Sequence, residues 1–181
     1  MNTIEQYEAV INECRDVFLK KTKDYGTSWR VYRPISIADQ IYIKARRIRS
    51  IQEKKEQKVA DGIKGEFAGM LNYAIIGLVQ LEINTEEPEQ LEPEEAEKYY
   101  NKKVEEAKQL MLDKNHDYDE AWRSMSQESF VDLILAKLLR IKQIIANDGK
   151  TISSEGIDAN YFDIINYSAF ALIIILEGDI K

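Results

Sequence analysis

Two segments of this sequence place cations where an apolar stripe should run. At about 100° per residue, Phe130, Ile134, Ile141 and Ile144 share one helical face, and Lys137 falls in its middle. Lys44 sits in the same way among Ile37, Ile41, Ile48 and Ile51. An ammonium facing a core must find an anion or reach water, because burial without a partner is strongly unfavourable. Arg140 and Arg47 stand about 60° further round the same helices. Three outcomes are open for each lysine: it snorkels to the edge of a bundle, pairs with a structural carboxylate, or meets an anionic ligand.

The carboxylates and amides that could answer those cations lie near the C-terminus. In "SSEGIDANYFDIINYSAFALIIILE", Glu155, Asp163 and Asn166 fall within about 80° of one another if the whole stretch is helical. Oxygen ligands clustered on one face suit Mg²⁺ or Mn²⁺. Alternatively, Glu155 sits in the first turn and favours the helix dipole, and Asp163, beyond that turn, pairs with Lys137 across helices. Earlier in the chain Asn72 is kept, with Asp61 before it, but Gly69 stands where Asp163 would be. An acidic site is therefore expected to be complete only in the second half. Asp39 and Asp132 each follow a serine by three residues (Ser36, Ser129), the spacing of a capping box.

These correspondences belong to a repeat. "KTKDYGTSWR" at 21–30 and "KNHDYDEAWR" at 114–123 share Lys, Asp-Tyr and Trp-Arg at identical spacing, offset by 93 residues from Asp24 to Asp117. The register continues through Tyr7 and Tyr100, Lys44 and Lys137, and Arg47 and Arg140. After one inserted residue it resumes at Asn72-Tyr73 and Asn166-Tyr167. Chance would not hold register across three segments. Each loop admits two readings. Asp24 or Asp117 caps a turn while Tyr25, Trp29, Tyr118 and Trp122 fill a seam, or the aromatics form a stacking platform and the Asp reads a base or ribose edge.

Three helices per half must position these groups. The first runs from about Thr3 to Lys23, with Thr3 and Gln6 as a capping box, and its counterpart from about Pro93 to Lys114. The second begins at Ser36 or Ser129. The third spans about Ala60–Glu82 and Ser154–Glu177. "NTEEPEQLEPEE" is an acidic, proline-punctuated linker. The expected fold is all-α: a six-helix bundle built from two tandem three-helix repeats (1–83 and 96–181, joined by 84–95), forming a pseudo-dimer within one chain. Three short helices bury little alone, so the halves are expected to share one core.

Composition narrows the classes. Within 181 residues there are 8 Gly and 3 Pro, a balance that favours helices. Cys14 and His116 are each the only residue of their kind, which excludes an intrachain disulfide and a Cys/His zinc site and suits a reducing cytoplasm. The net charge of −7 argues against a duplex nucleic-acid binder. No basic-then-apolar leader opens the sequence. Ile164–Leu176, the most apolar stretch, falls short of the roughly 20 residues a bilayer needs, so no membrane is expected.

Taken together, Lys-x-x-Asp-Tyr-Gly…Trp, Asp-x₄-Lys-x₂-Arg and Glu…Asp-x₂-Asn-Tyr resemble the nucleotide modification associated domain 1 family, once per half and over essentially the whole chain. The helix order and acidic third helix are in turn similar to the MazG and dimeric dUTPase type of all-α nucleoside triphosphate pyrophosphohydrolases. The resemblance implies that Lys44, Arg47, Lys137 and Arg140 contact phosphates, the latter two as the catalytic pair. It implies that Glu155 and Asp163 hold Mg²⁺ or Mn²⁺, with Asn166 in support, and that Asn72 and Asn166 contact the nucleotide. Asp24, Tyr25 and Trp29, with Asp117, Tyr118 and Trp122, would shape a nucleoside pocket. The chain departs from the pattern at Asp119, where the motif has glycine as at Gly26, and at Gly69. Ala159 or Asp158 stands where a further acid belongs, and the second helix has no paired glutamates. The expectation is a nucleotide-handling protein, a monomer with an internal pseudo-dimer or a homodimer, taking a small-molecule nucleotide. Its activity would be metal-dependent hydrolysis of (deoxy)nucleoside triphosphates. The alternatives are a non-catalytic nucleotide-binding module and a structural or interaction protein.

Overall fold

Helix formation follows the apolar periodicity, and the ends follow capping chemistry. In this computed structural model, which describes residues 1–55, 62–83, 89–152 and 155–180, six α-helices run as α1 (Thr3–Tyr25), α2 (Pro34–Lys54), α3 (Ile63–Glu82), α4 (Pro93–Tyr118), α5 (Gln127–Ala146) and α6 (Ile157–Ile180). One-turn 3₁₀ helices, Ser28–Val31 and Ala121–Ser124, sit between the first and second helices of each half. There is no strand among the described residues.

Several boundaries differ from the sequence expectation for identifiable reasons. The α1 capping box is Asn2 with Glu5, one residue earlier than Thr3 with Gln6. Asparagine is at least as good a cap as threonine, and an acid three residues on serves the dipole as well. Thr3 and Gln6 turn instead to Arg123: its Nη2 donates to the Thr3 hydroxyl at 2.6 Å and to Gln6 Oε1 at 2.7 Å. The second helices start before Ser36 and Ser129. Pro34 opens α2 at a position where its missing N–H costs nothing, and the Ser126 side chain accepts from the Ser129 amide to cap α5. Asp39 therefore does not cap; it pairs with Lys142 of α5 at 2.8 Å. The expected starts of α3 and α6 at Ala60 and Ser154 lie outside the described residues, and α6 is helical only from Ile157.

The core is a single cluster drawn from all six helices. Its centre is the α3–α6 pair, flanked by α2 and α5, with α2 also touching α5. α1 and α4 lie across the seam, and each contacts both α3 and α6. Both halves contribute side chains to this one cluster. By length and composition, Ile157–Gly178 of α6 could cross a membrane, a longer run than Ile164–Leu176 suggested; 72% of the window is buried within the molecule, as in a core helix.

Close approach at the α3–α6 crossing depends on Gly77. A Cβ there would stand 2.8 Å from two carbons of the Tyr161 ring, which is 1% exposed and has nowhere to go. Gly77→Ala gains about 1 kcal/mol of helix propensity but forces overpacking that costs about 1–3 kcal/mol. The expected net loss is about 1 kcal/mol, read as a lower urea midpoint at unchanged slope. A midpoint at or above wild type would mean that this crossing has slack.

The linker is more than a spacer where it is described. Thr27 donates its hydroxyl to the Glu89 carbonyl (2.7 Å) and accepts from the Leu91 amide (2.9 Å), while its own amide donates to Gln90 Oε1 (3.1 Å). Leu91 is buried. The tight turn at Gly26 (φ 70°) leaves room for Gln90, whose Oε1 would clash with an added Cβ.

Candidate functional site

The two halves treat the same position in opposite ways. In the second, Asp163 of α6 is 8% exposed and its two oxygens are each taken by an ammonium. Lys137 Nζ lies 2.8 Å from one and Lys114 Nζ 2.8 Å from the other. The cross-helix pairing of Lys137 with Asp163, one of the alternatives open from the sequence, is thus present, and Lys114 completes it. Burial pulls the Lys114 ammonium towards neutrality. The hydrogen bond and charge of Asp163, with smaller contributions from Tyr167 and Glu155, more than offset this, and the lysine titrates above its ordinary value.

In the first half, Gly69 replaces the aspartate. The Lys44 side chain lies over the bare glycine: a Cβ there would be 2.9 Å from Lys44 Cε and 3.2 Å from Nζ. The described carboxylate nearest this lysine is Glu66, one turn earlier on α3, at 3.7 Å from Lys44 Nζ and 2.9 Å from Arg47 Nη1. Position by position, Glu66 corresponds to Asn160, so a comparison of the repeats conceals it. Lys21, the counterpart of Lys114, is exposed and makes no ion pair with a described residue.

A cavity of about 580 Å³ opens around Gly69. Among the described residues its cations are Lys21 and Lys44, its glycines are Gly62, Gly65 and Gly69 at the start of α3, and its aromatic side chains are Phe18, Tyr25, Trp29, Tyr32 and Tyr73. Tyr32 and Tyr73 stack with centroids 6.4 Å apart, and Lys44 Nζ stands 5.8 Å from the Tyr73 centroid. Burial, then the neighbouring Tyr32 and Tyr25, pushes the Tyr73 phenol up to about 12. It is therefore a neutral hydrogen-bond donor at physiological pH. Tyr25 is 56% exposed at the rim, and Trp29 is buried with its indole N–H unpartnered among the described residues.

The remaining expected site residues separate. Asp24 is exposed, Asp117 is exposed beside His116, and Tyr118 is 71% exposed at the end of α4. No capping hydrogen bond engages Asp24 or Asp117 among the described residues. Asp119 adopts the left-handed conformation (φ 50°, ψ 44°), whereas Gly26 in the first loop shares the positive φ (70°) but has ψ −150°. Trp122 is buried under the Phe170 ring, parallel at 4.2 Å, with the Arg123 guanidinium 4.4 Å from its centroid. With its faces covered, it is an anchor, not a stacking platform.

Asn72 and Asn166 bind across the seam. Tyr7 donates to Asn166 Oδ1 and Tyr100 to Asn72 Oδ1, both at 2.7 Å. The amide nitrogens donate to the carbonyls of Ala107 and Cys14 respectively. Both amides are occupied by the protein itself, although Asn72 also borders the cavity.

Arg140 and Lys137 line a second, more open cavity of about 610 Å³ with Lys150, Asn160 and Glu155. Glu155 precedes α6 and is exposed, so it does not share a helical face with Asp163. Among the described residues no group of three or more carboxylate, histidine or cysteine side chains is placed to hold a metal. A hard divalent cation needs several oxygen ligands, and at Asp163 it would first have to displace two lysines. As arranged, this donor set does not fit Mg²⁺ or Mn²⁺.

The profile of the nucleotide modification associated domain 1 family matches residues 21–81 and again residues 114–175. The chain belongs to that family. Each match begins at the first lysine of the repeated loop, Lys21 or Lys114, and runs through the loop and the second helix into the third. Searches among curated proteins and among solved structures found no match. The family unit therefore contains both versions of the site, the open one and the one closed by Asp163. The tyrosines that tie the halves together, Tyr7 and Tyr100, fall outside it.

Proposed function

We propose that this chain is a nucleotide-binding protein and that its ligand occupies the cavity of the first repeat. The observation that carries the reading is the cavity's lining: five aromatic side chains, two lysines, and Gly69 where the other repeat has a carboxylate. Aromatic faces suit a base or ribose, and ammonium groups suit a phosphate. Membership of a family associated with nucleotide modification is in keeping with it.

Calorimetric titration with the common ribo- and deoxynucleotides tests this. One class should bind, and Tyr73→Ala should weaken it by about tenfold, since stacking on an aromatic contributes about 1–3 kcal/mol per base. Binding of none, or binding indifferent to Tyr73, would sink the reading.

A second reading, pyrophosphohydrolysis of a nucleotide that arrives with its own Mg²⁺ or Mn²⁺, draws on Glu155, Lys137 and Arg140, which line the other cavity together. Each nucleoside triphosphate is incubated with Mg²⁺ or Mn²⁺, with a Glu155→Gln sample alongside. Monophosphate and pyrophosphate from wild type alone would move the assignment to that cavity.

A further inference from the structure

The anion that binds the first repeat has a stand-in already built into the second. Asp163 shows what the position between the two lysines of a repeat accepts: a carboxylate with one ammonium on each oxygen at 2.8 Å, nine-tenths buried. The first repeat keeps both lysines, Lys21 and Lys44, on the walls of one cavity, and removes the carboxylate down to a bare Cα. Glu66 does not replace it. It lies a turn away, 3.7 Å from Lys44, is held more closely by Arg47, and leaves Lys21 without a partner among the described residues.

We infer that the first repeat binds a nucleoside monophosphate, with its phosphate at Gly69 between Lys21 and Lys44, and that Asp163 fills the equivalent subsite of the second repeat and keeps it closed. The inference rests on the nucleotide-binding reading above and assigns its ligand class and its single site. Charge decides the class. Two ammonium groups match the dianion of a monophosphate. A triphosphate would bring roughly two further charges against the Glu66 carboxylate, and among the described residues the cavity lining holds no other cation. The aromatic wall lies within the same cavity, where the nucleoside would extend from the phosphate.

Exchanging the two residues tests it. Gly69→Asp should install the closed arrangement in the first repeat. The three atoms nearest its Cβ belong to the end of the Lys44 side chain, which can swing onto the new carboxylate. The four common deoxynucleoside monophosphates, their nucleosides, their triphosphates and inorganic phosphate are titrated into wild type, Gly69→Asp and Asp163→Gly. Wild type should bind one equivalent of a monophosphate, more tightly than the matching nucleoside or triphosphate. Gly69→Asp should lose at least about tenfold in affinity, as removal of a charge-assisted contact does. Asp163→Gly should bind two equivalents, and the monophosphate should raise its melting temperature more than that of wild type. If Asp163→Gly does not accumulate, Gly69→Asp decides alone. A nucleotide that binds wild type and Gly69→Asp equally overturns this inference and leaves the nucleotide-binding reading standing. A preference for the triphosphate overturns the ligand class. If no nucleotide binds wild type, both fall.

Discussion

Asp163→Leu should cost about 3 kcal/mol of folding stability, and adding Lys137→Met should return most of it. Breaking a buried ion pair on one side orphans the other charge, at about 3–5 kcal/mol. The low end applies because Lys137 borders an open cavity into which its head can turn. Lys114 is 55% exposed and loses little when freed. Lys137→Met alone should cost only about 1 kcal/mol, because Asp163 keeps Lys114. In the double variant two apolar side chains of similar bulk replace the pair, and stability should come within about 1 kcal/mol of wild type. Urea unfolding of the four proteins measures this cycle. A cost below about 1 kcal/mol for Asp163→Leu would mean that the aspartate is not a desolvated charge in solution, and the case for it as a built-in ligand would weaken with it. Nucleotide binding at the first repeat should survive in all four, since none of these changes touches the Gly69 cavity.

How far the site was legible depended on what a repeat makes visible. Trp29 and Trp122, Tyr7 and Tyr100, and Asn72 and Asn166 keep register, so six helices and a shared core could be read from identities and apolar spacing. The inward placement of Lys44, Lys137 and Asp163 followed from a helical wheel. What the wheel could not supply was the end of the helix. Glu155 shares a face with Asp163 only if the helix reaches back past Gly156, and α6 begins at Ile157. Position-by-position comparison also hid Glu66, because the first repeat carries its acid one turn earlier, opposite Asn160. Lys21 and Lys114 stood in the repeated motif, but nothing in the sequence showed that the end of the first helix folds over the third. The sequence left Gly69 looking like a lost ligand. In the structure the same glycine opens the cavity, and the retained aspartate closes its counterpart.

Asn166→Leu should cost about 2–3 kcal/mol although leucine fills the same volume. Tyr7 is fully buried, and burial above all holds its phenol well above the ordinary tyrosine range, so it stays a donor. Its one described acceptor is Asn166 Oδ1 at 2.7 Å. Without that acceptor a buried hydroxyl is left unsatisfied, at about 1–3 kcal/mol. The Ala107 carbonyl, which also loses the Asn166 amide, lies within α4 and keeps the helical hydrogen bond open to it, so it adds little. Tyr7→Phe alone should cost about 1 kcal/mol, and on top of Asn166→Leu almost nothing, because the orphaned group is then gone. The coupling between the two should therefore be about 1 kcal/mol or more, against the 0.3–0.5 kcal/mol within which independent sites add. Because Tyr7 belongs to the first half and Asn166 to the second, that coupling measures the seam itself. The mirror pair, Tyr100 and Asn72, should give a similar value. All variants should unfold in one transition, since α1 and α4 each bridge both third helices. Additive losses, or two transitions, would mean that the repeats fold as separate units.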